Sequence, residues 1–137
     1  MEALSELVFV GLGLSDEKDI SLRGLEEIKT ANQVFIETYT SLMPNLSIEK
    51  LERFCGKKLE AVSRRELEEE NGEKVLKAAM KGKTVLLVPG DPLIATTHIA
   101  LRIQAEKIGI KTRIVHGASI ISAAIGLSGL HNYKFGK

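Results

Sequence analysis

Three short stretches hold the residue types that could do chemistry. They are Gly11-Leu12-Gly13-Leu14-Ser15-Asp16, the run from Pro89 to His98, and His116-Gly117-Ala118-Ser119. In the second, Pro89 and Pro92 fix φ, and Gly90 between them accepts a positive φ or the close approach of a ligand. A stiff loop therefore holds one carboxylate, Asp91, in a set direction, and Thr96, Thr97 and His98 follow it.

The spacings exclude several chemistries. His98, His116 and His131 are scattered, with no cysteine pair and no H-E-x-x-H, so no metal site is expected. Ser119 has histidines in neighbouring loops, but there is no G-x-S-x-G elbow and neither His98 nor His116 has an evident orienting partner. Gly11-x-Gly13 after an apolar run, with Glu37 at the end of the next such run, invites a dinucleotide reading. The fingerprint would need glycine or alanine at position 16, where this chain has Asp16, and a carboxylate there opposes a pyrophosphate. S-adenosylmethionine, with a ribose, an adenine and a cationic centre but no phosphate, suits these loops better.

The elements that must position the loops follow from patterning. Apolar runs at Leu7–Val10, Val34–Ile36, Thr84–Val88 and Thr112–Val115 read as strands, with a short strand within Lys58–Val62. Helical spacing follows Ser21 (Leu22, Leu25 and Ile28 inward) and Ser47 (Ile48, Leu51 and Phe54 inward, with Gly56 past the end). It recurs at Val75, Leu76, Ala79 and Met80, from Thr97 with Ile99, Ile103 and Ile108 inward, and from Ile120 to Gly126, an apolar helix expected to be buried. Ser63 and Glu66 have capping-box spacing, and the charged run Arg64–Glu73 reads as a solvated face. The fold class is α/β: a mostly parallel sheet of about five strands with helices on both faces. All three loops then lie at the carboxyl edge of the sheet, where such folds bind ligands.

Composition sets the outer limits. The chain has 137 residues, 44% of them hydrophobic and 27% charged, which suits one domain with a real core. Its net charge of +1, from 19 basic and 18 acidic residues, argues against a dedicated nucleic-acid or membrane surface. The single cysteine, Cys55, excludes an internal disulfide and fits a cytoplasmic protein; beside Gly56 it reads as a buried helix-end residue. No run is long and apolar enough for a transmembrane span.

Beyond these readings there is a resemblance. Val10-Gly11-Leu12-Gly13-Leu14 with Asp16, Asp19-Ile20 and Gly24-Leu25 is similar to the opening motif of tetrapyrrole-methylase-type methyltransferases. Glu37-Thr38-Tyr39-Thr40-Ser41, Gly90 to His98, His116 to Ile120 and Gly129 to Gly136 resemble blocks of the diphthine synthases within that superfamily. The resemblance implies an S-adenosylmethionine-dependent methyltransferase, releasing S-adenosylhomocysteine. Its acceptor would be the amino group of an aminocarboxypropyl-histidine on translation elongation factor two, giving diphthine in diphthamide biosynthesis. Leu14, Asp91, Ile94, Ser119 and Ile120 would contact the cofactor, with Gly11, Gly13, Gly90, Thr97 and His98 as secondary candidates.

The resemblance also implies a homodimer, and a cofactor held between two α/β domains. Residues 1–137 would form the first, cofactor-binding domain, and the second would be absent from this chain. Two alternatives stand beside this reading: a Rossmann-type nucleotide-binding oxidoreductase domain, and a non-catalytic half-domain that dimerises or binds a partner. Locally, Asp91 reads equally as a turn residue capping backbone N–H groups, Ser119 as a helix N-cap, and Glu37 as a ribose ligand or a solvent-facing strand end.

Overall fold

A computed structural model describes residues 4–130. Five parallel strands make one sheet: β1 (Glu6–Gly11), β2 (Gln33–Ile36), β3 (Glu60–Ala61), β4 (Lys83–Val88) and β5 (Lys111–Val115), in the order β3-β2-β4-β1-β5. The helices are α1 (Leu22–Lys29), α2 (Ile48–Cys55), α3 (Glu73–Lys81), α4 (His98–Lys107) and α5 (Ile120–Ser128).

The run Leu7–Val10 is apolar without interruption because β1 lies between β4 and β5 and is covered on both faces. Alternation divides its side chains. Leu7 and Phe9 pack with Val75, Leu76 and Ala79 of α3 and Leu101 and Ala105 of α4. Val8 and Val10 pack with Ile28 of α1 and Leu51 and Cys55 of α2. The strand order separates this fold from the Rossmann arrangement, in which β1 lies between β2 and β4. Here β4 is inserted between β2 and β1, so Gly11-x-Gly13 does not open a dinucleotide-binding unit of that type.

The helices exist where the sequence puts them, but several are rotated from expectation. In α4 Ile99 and Ile103, and Ile108 at its C-cap, are about half exposed, and His98, Leu101 and Ala105 face inward. The cause is His98, the first residue of the helix. Its imidazole is bound to buried Glu37 at the end of β2, and that anchor sets which residues one and two turns later face the sheet. In α1, Leu22 points outward, because the helix presses on β1 through Gly24, whose added Cβ would lie 2.8 Å from Val10 Cγ1. Phe54 and Met80 are likewise about half exposed, while Leu51, Cys55, Val75, Leu76 and Ala79 are buried.

The expectation that α5 is buried fails. None of its residues is buried, and Ile120, Ile121 and Leu127 are exposed. The two sheet faces are already covered by α1–α4, and no further layer among the described residues covers α5.

The Ser63–Glu66 capping box forms: Glu66 N–H donates to Ser63 Oγ at 3.2 Å, and Ser63 N–H to Glu66 Oε1 at 3.1 Å. It opens a single π-helical turn, Arg65–Glu69, which buries Leu67 within the charged run. No helix among the described residues is long and apolar enough to cross a membrane.

Candidate functional site

β4, β1 and β5 are neighbours in a parallel sheet, so their carboxyl ends deliver three loops to one place. The loops are joined by backbone. Leu12 N–H donates to Val88 O at 2.8 Å, and Gly13 and Gly90 exchange hydrogen bonds of 3.3 and 2.8 Å. Glycine is required at this junction by close approach. A Cβ on Gly11 would stand 2.5 Å from Gly90 O and 2.6 Å from Gly117 N, and one on Gly117 would stand 2.4 Å from Gly90 O. Gly13 and Gly90 also hold left-handed backbone, with φ of +81° and +69°.

The first loop is closed by a residue to which sequence reasoning gave no role. Asp19 Oδ2 accepts from Ser15 N–H at 2.8 Å and Leu14 N–H at 3.3 Å, which aims Leu14 at the junction. Asp16 caps a short 3₁₀ turn, Glu17–Asp19, by accepting from Lys18 N–H at 2.9 Å.

Asp91 takes the turn-capping role and also ties two loops together. Its buried carboxylate accepts from Leu93 N–H at 3.0 Å, the turn-capping bond, and from Gly117 N–H at 3.3 Å, which ties the β4 loop to the β5 loop. Its third partner is His116 Nδ1 at 2.7 Å. The expectation that neither histidine has an orienting partner is therefore corrected: His116 is held by Asp91, and His98 Nε2 lies 2.6 Å from Glu37 Oε2. Both pairings join residues far apart in sequence, which leaves no spacing signal to read.

A cavity of about 640 Å³ opens on this junction, within the usual range for small-molecule sites. Leu14, Asp91, Ile94 and Ser119 line it, as do His116 and Ile121. Ile120 does not; Ser119 caps α5 by accepting from Ile121 N–H at 3.2 Å, and the helix so begun presents residue 121 to the cavity. Gly11, Gly13 and Gly90 form the junction without lining the cavity. Thr97 and His98 belong to a separate cavity of about 250 Å³ with Glu68, Asn71 and Gln104, where Thr97 Oγ1 donates to Glu68 Oε1 at 2.9 Å.

Glu37 is neither a ribose ligand nor a solvent-facing residue. It is fully buried; Thr40 Oγ1 and N–H donate to its Oε1 at 3.0 and 3.4 Å, and its Oε2 meets His98. Tyr39 packs edge-on against the His98 ring with centroids 6.3 Å apart, and burial, reinforced by the Glu37 charge, pushes its phenol well above the ordinary value. The Arg64 guanidinium lies over the Tyr39 ring, 5.1 Å from its centroid. The pair fixes where α4 starts, and so where the Pro89–Thr97 loop must end.

The lining selects a class of ligand. It contains one carboxylate, apolar walls from Leu14, Leu93, Ile94 and Ile121, and no lysine or arginine among the described residues. A phosphate would meet no lysine or arginine among the described lining residues, whereas an adenosyl group joined to a sulfonium would meet apolar surface and a carboxylate. No group of three or more potential metal ligands occurs among the described residues.

Comparison with known proteins agrees with this geometry. The family Tetrapyrrole (Corrin/Porphyrin) Methylases matches residues 6–137. The chain is 53% identical over 131 residues to diphthine synthase of Archaeoglobus fulgidus, covering 96% of this chain and 51% of that protein. It is 51% identical to diphthine synthase of Methanospirillum hungatei, covering 96% of this chain and 52% of that one. A crystal structure of diphthine synthase superposes with a TM-score of 0.89 at 53% identity, over 95% of this chain and 51% of the other. One of a putative diphthine synthase from Entamoeba histolytica superposes with a TM-score of 0.82 at 41% identity, over 96% and 48%. The chain thus spans about half the length of the curated relatives it matches. With its sheet, its three-loop junction and this match over nearly its whole length, the chain belongs to the tetrapyrrole (corrin/porphyrin) methylase family.

Proposed function

We propose that this chain is the cofactor-binding part of an S-adenosylmethionine-dependent methyltransferase of the diphthine synthase type. It would act on the amino group of the aminocarboxypropyl-histidine of translation elongation factor two. The observation that carries the reading is the cavity at the three-loop junction, with its single carboxylate, apolar walls and lack of lysine or arginine among the described lining residues. The curated relatives at about half identity are diphthine synthases, which favours this acceptor over the other substrates of the wider family.

When bound, S-adenosylmethionine supplies an electrophilic methyl on sulfur, whose C–S bonding electrons stay with sulfur as the acceptor nitrogen's lone pair forms the new bond. The protein's task is placement: donor and acceptor must be close and aligned, and the amine unprotonated. Leu14, Leu93, Ile94 and Ile121 would hold the adenosine against apolar surface. Asp91 would fix the relative position of the β4 and β5 loops through Gly117 N–H and place negative charge on the cavity wall. The glycine junction would hold all three loops in one register. The opposite wall of the site and the acceptor's contacts would come from the second half that the relatives possess. A cytoplasmic homodimer belongs to the same proposal.

The test is mass spectrometry of archaeal elongation factor two bearing the aminocarboxypropyl-histidine, after incubation of the full-length protein with S-adenosylmethionine. The expected result is a mass increase in methyl steps at that histidine. An unmodified factor alongside bound S-adenosylmethionine would overturn the substrate and leave the cofactor.

A further inference from the structure

We propose that His116 is the base that removes the proton from the acceptor ammonium before methyl transfer, and that Asp91 sets its tautomer. The inference rests on the amine acceptor argued above and adds a catalytic residue to it. His116 Nδ1 lies 2.7 Å from Asp91 Oδ2, so in the neutral ring the proton sits on Nδ1 and is donated to the carboxylate. The lone pair is then on Nε2, which has no hydrogen-bond partner among the described residues. The ring lines the main cavity, and its side chain is 73% exposed while that of Asp91 is 7% exposed. A carboxylate that orients one imidazole nitrogen while the other faces a cavity is the arrangement of a general base.

A purely structural role accounts for this pair poorly. Asp91 already joins the two loops through Gly117 N–H and caps its own turn through Leu93 N–H. An exposed ring adds little packing to that latch. His98, by contrast, is 1% exposed with Nε2 against Glu37, so it cannot reach a substrate, and His131 lies outside the described residues. The groups facing His116 across the cavity are Asp91 from the β4 loop, Leu14 from the first loop, and Ile121, Ser122 and Ala123 from α5; of these only Asp91 is ionisable.

The step balances simply. His116 Nε2 takes one proton from the ammonium, leaving imidazolium and a neutral amine whose lone pair is free. The methylated nitrogen can return to the same state by losing its next proton. In this step Asp91 acts only through the His116 ring and is a positioning residue.

The test uses His116→Ala in the full-length protein. At neutral pH and saturating S-adenosylmethionine, kcat for methylation of the modified factor should fall by about 10²–10⁴-fold. The dissociation constant of S-adenosylhomocysteine, measured by calorimetry, should change by far less than kcat, since the ring lines the cavity wall but its proposed chemical task is on the acceptor. The variant's rate should climb about tenfold per pH unit, as the amine's own ionisation replaces the base, and added imidazole should restore part of it.

Long-range proton–nitrogen NMR of the wild type should show the Nδ1–H tautomer at His116; the Nε2–H tautomer would overturn the assignment. A variant with wild-type kcat, or with a loss that neither pH nor imidazole repairs, would overturn the base while leaving an active wild type and its proposed function intact. A wild type that transfers no methyl group to the factor would overturn both.

Discussion

Replacing Gly11 by alanine tests whether the three loops act as one unit. The new Cβ would stand 2.5 Å from Gly90 O, 2.6 Å from Gly117 N and 2.8 Å from Gly117 Cα. Ordinary contacts between heavy atoms lie near about 3.5–4.0 Å, so the shortfall is roughly 1 Å on each side. All three obstructing atoms are backbone, on two different loops. Gly90 is bonded to Gly13, and Gly117 is bonded to Asp91, so neither loop can yield alone.

Overpacking of this kind costs about 1–3 kcal/mol, and the rigidity of both neighbours places Gly11→Ala toward the upper end. Function should suffer more than stability. Displacing a positioned group by about 1 Å can reduce activity roughly 10²-fold, because the proposed cofactor walls on separate loops would no longer match one ligand. Gly126→Ala is the control: it adds a methyl on α5 with nothing within 4 Å, and should be neutral or stabilising by up to about 1 kcal/mol. Urea denaturation of both variants, with calorimetry of S-adenosylhomocysteine binding, reads the two effects separately. A Gly11→Ala protein with wild-type midpoint and affinity would refute the junction as the organiser of the site.

Two further outcomes follow from the paired carboxylates Glu37 and Glu27. Glu37→Ala leaves His98 without its partner in the core and should destabilise the fold by about 3–5 kcal/mol, while Glu37→Gln, which keeps a polar group beside the imidazole and Thr40, should cost only about 1–3 kcal/mol. Chemical denaturation measures both, and equal losses would contradict a specific role for the carboxylate. The second concerns acid stability. Burial pushes the Glu27 carboxyl up, but hydrogen bonds from Arg113 and Lys83 outweigh this and hold it below its ordinary value of 4.5. A carboxyl lowered by folding stabilises the protein fully above that ordinary value, and the contribution disappears as pH falls through the lower folded value. The stability gap between wild type and Arg113→Gln, followed by denaturation from pH 7 downward, should hold to about pH 4.5 and then narrow; a gap that widens in acid would contradict the pairing.

The sheet was legible because strands covered on both faces must be apolar along their length, as in Leu7–Val10 and Val85–Val88. Helix rotation was not. In α4 the three isoleucines are as apolar as Leu101, and only the anchor from His98 to Glu37 decides which side faces in. That anchor links β2 to α4 across 61 positions, where no local spacing can announce it. The same limit hid His116 as a partner of Asp91.

At α5 the cap and the apolar run were both visible. A helix begun at Ile120 under the Ser119 cap nonetheless turns Ile121, Ser122 and Ala123, not Ile120, to the cavity. Its expected burial failed because apolar composition says that a surface wants cover without saying which part of a protein supplies it. Glycine positions, by contrast, marked the three-loop junction well, since the close approach of Gly11, Gly90 and Gly117 leaves no room for a side chain.

The proposed site of the methyl donor is the junction of the β1, β4 and β5 loops. The measurement that tests it most directly is a crystal structure of the full-length protein soaked with S-adenosylhomocysteine. The ligand is expected against Leu14, Asp91, Ile94 and Ser119, with the His116 ring still held by Asp91 and open to the acceptor side. Density in the separate cavity beside Glu68 and Gln104, or none at the junction at saturating ligand, would contradict it.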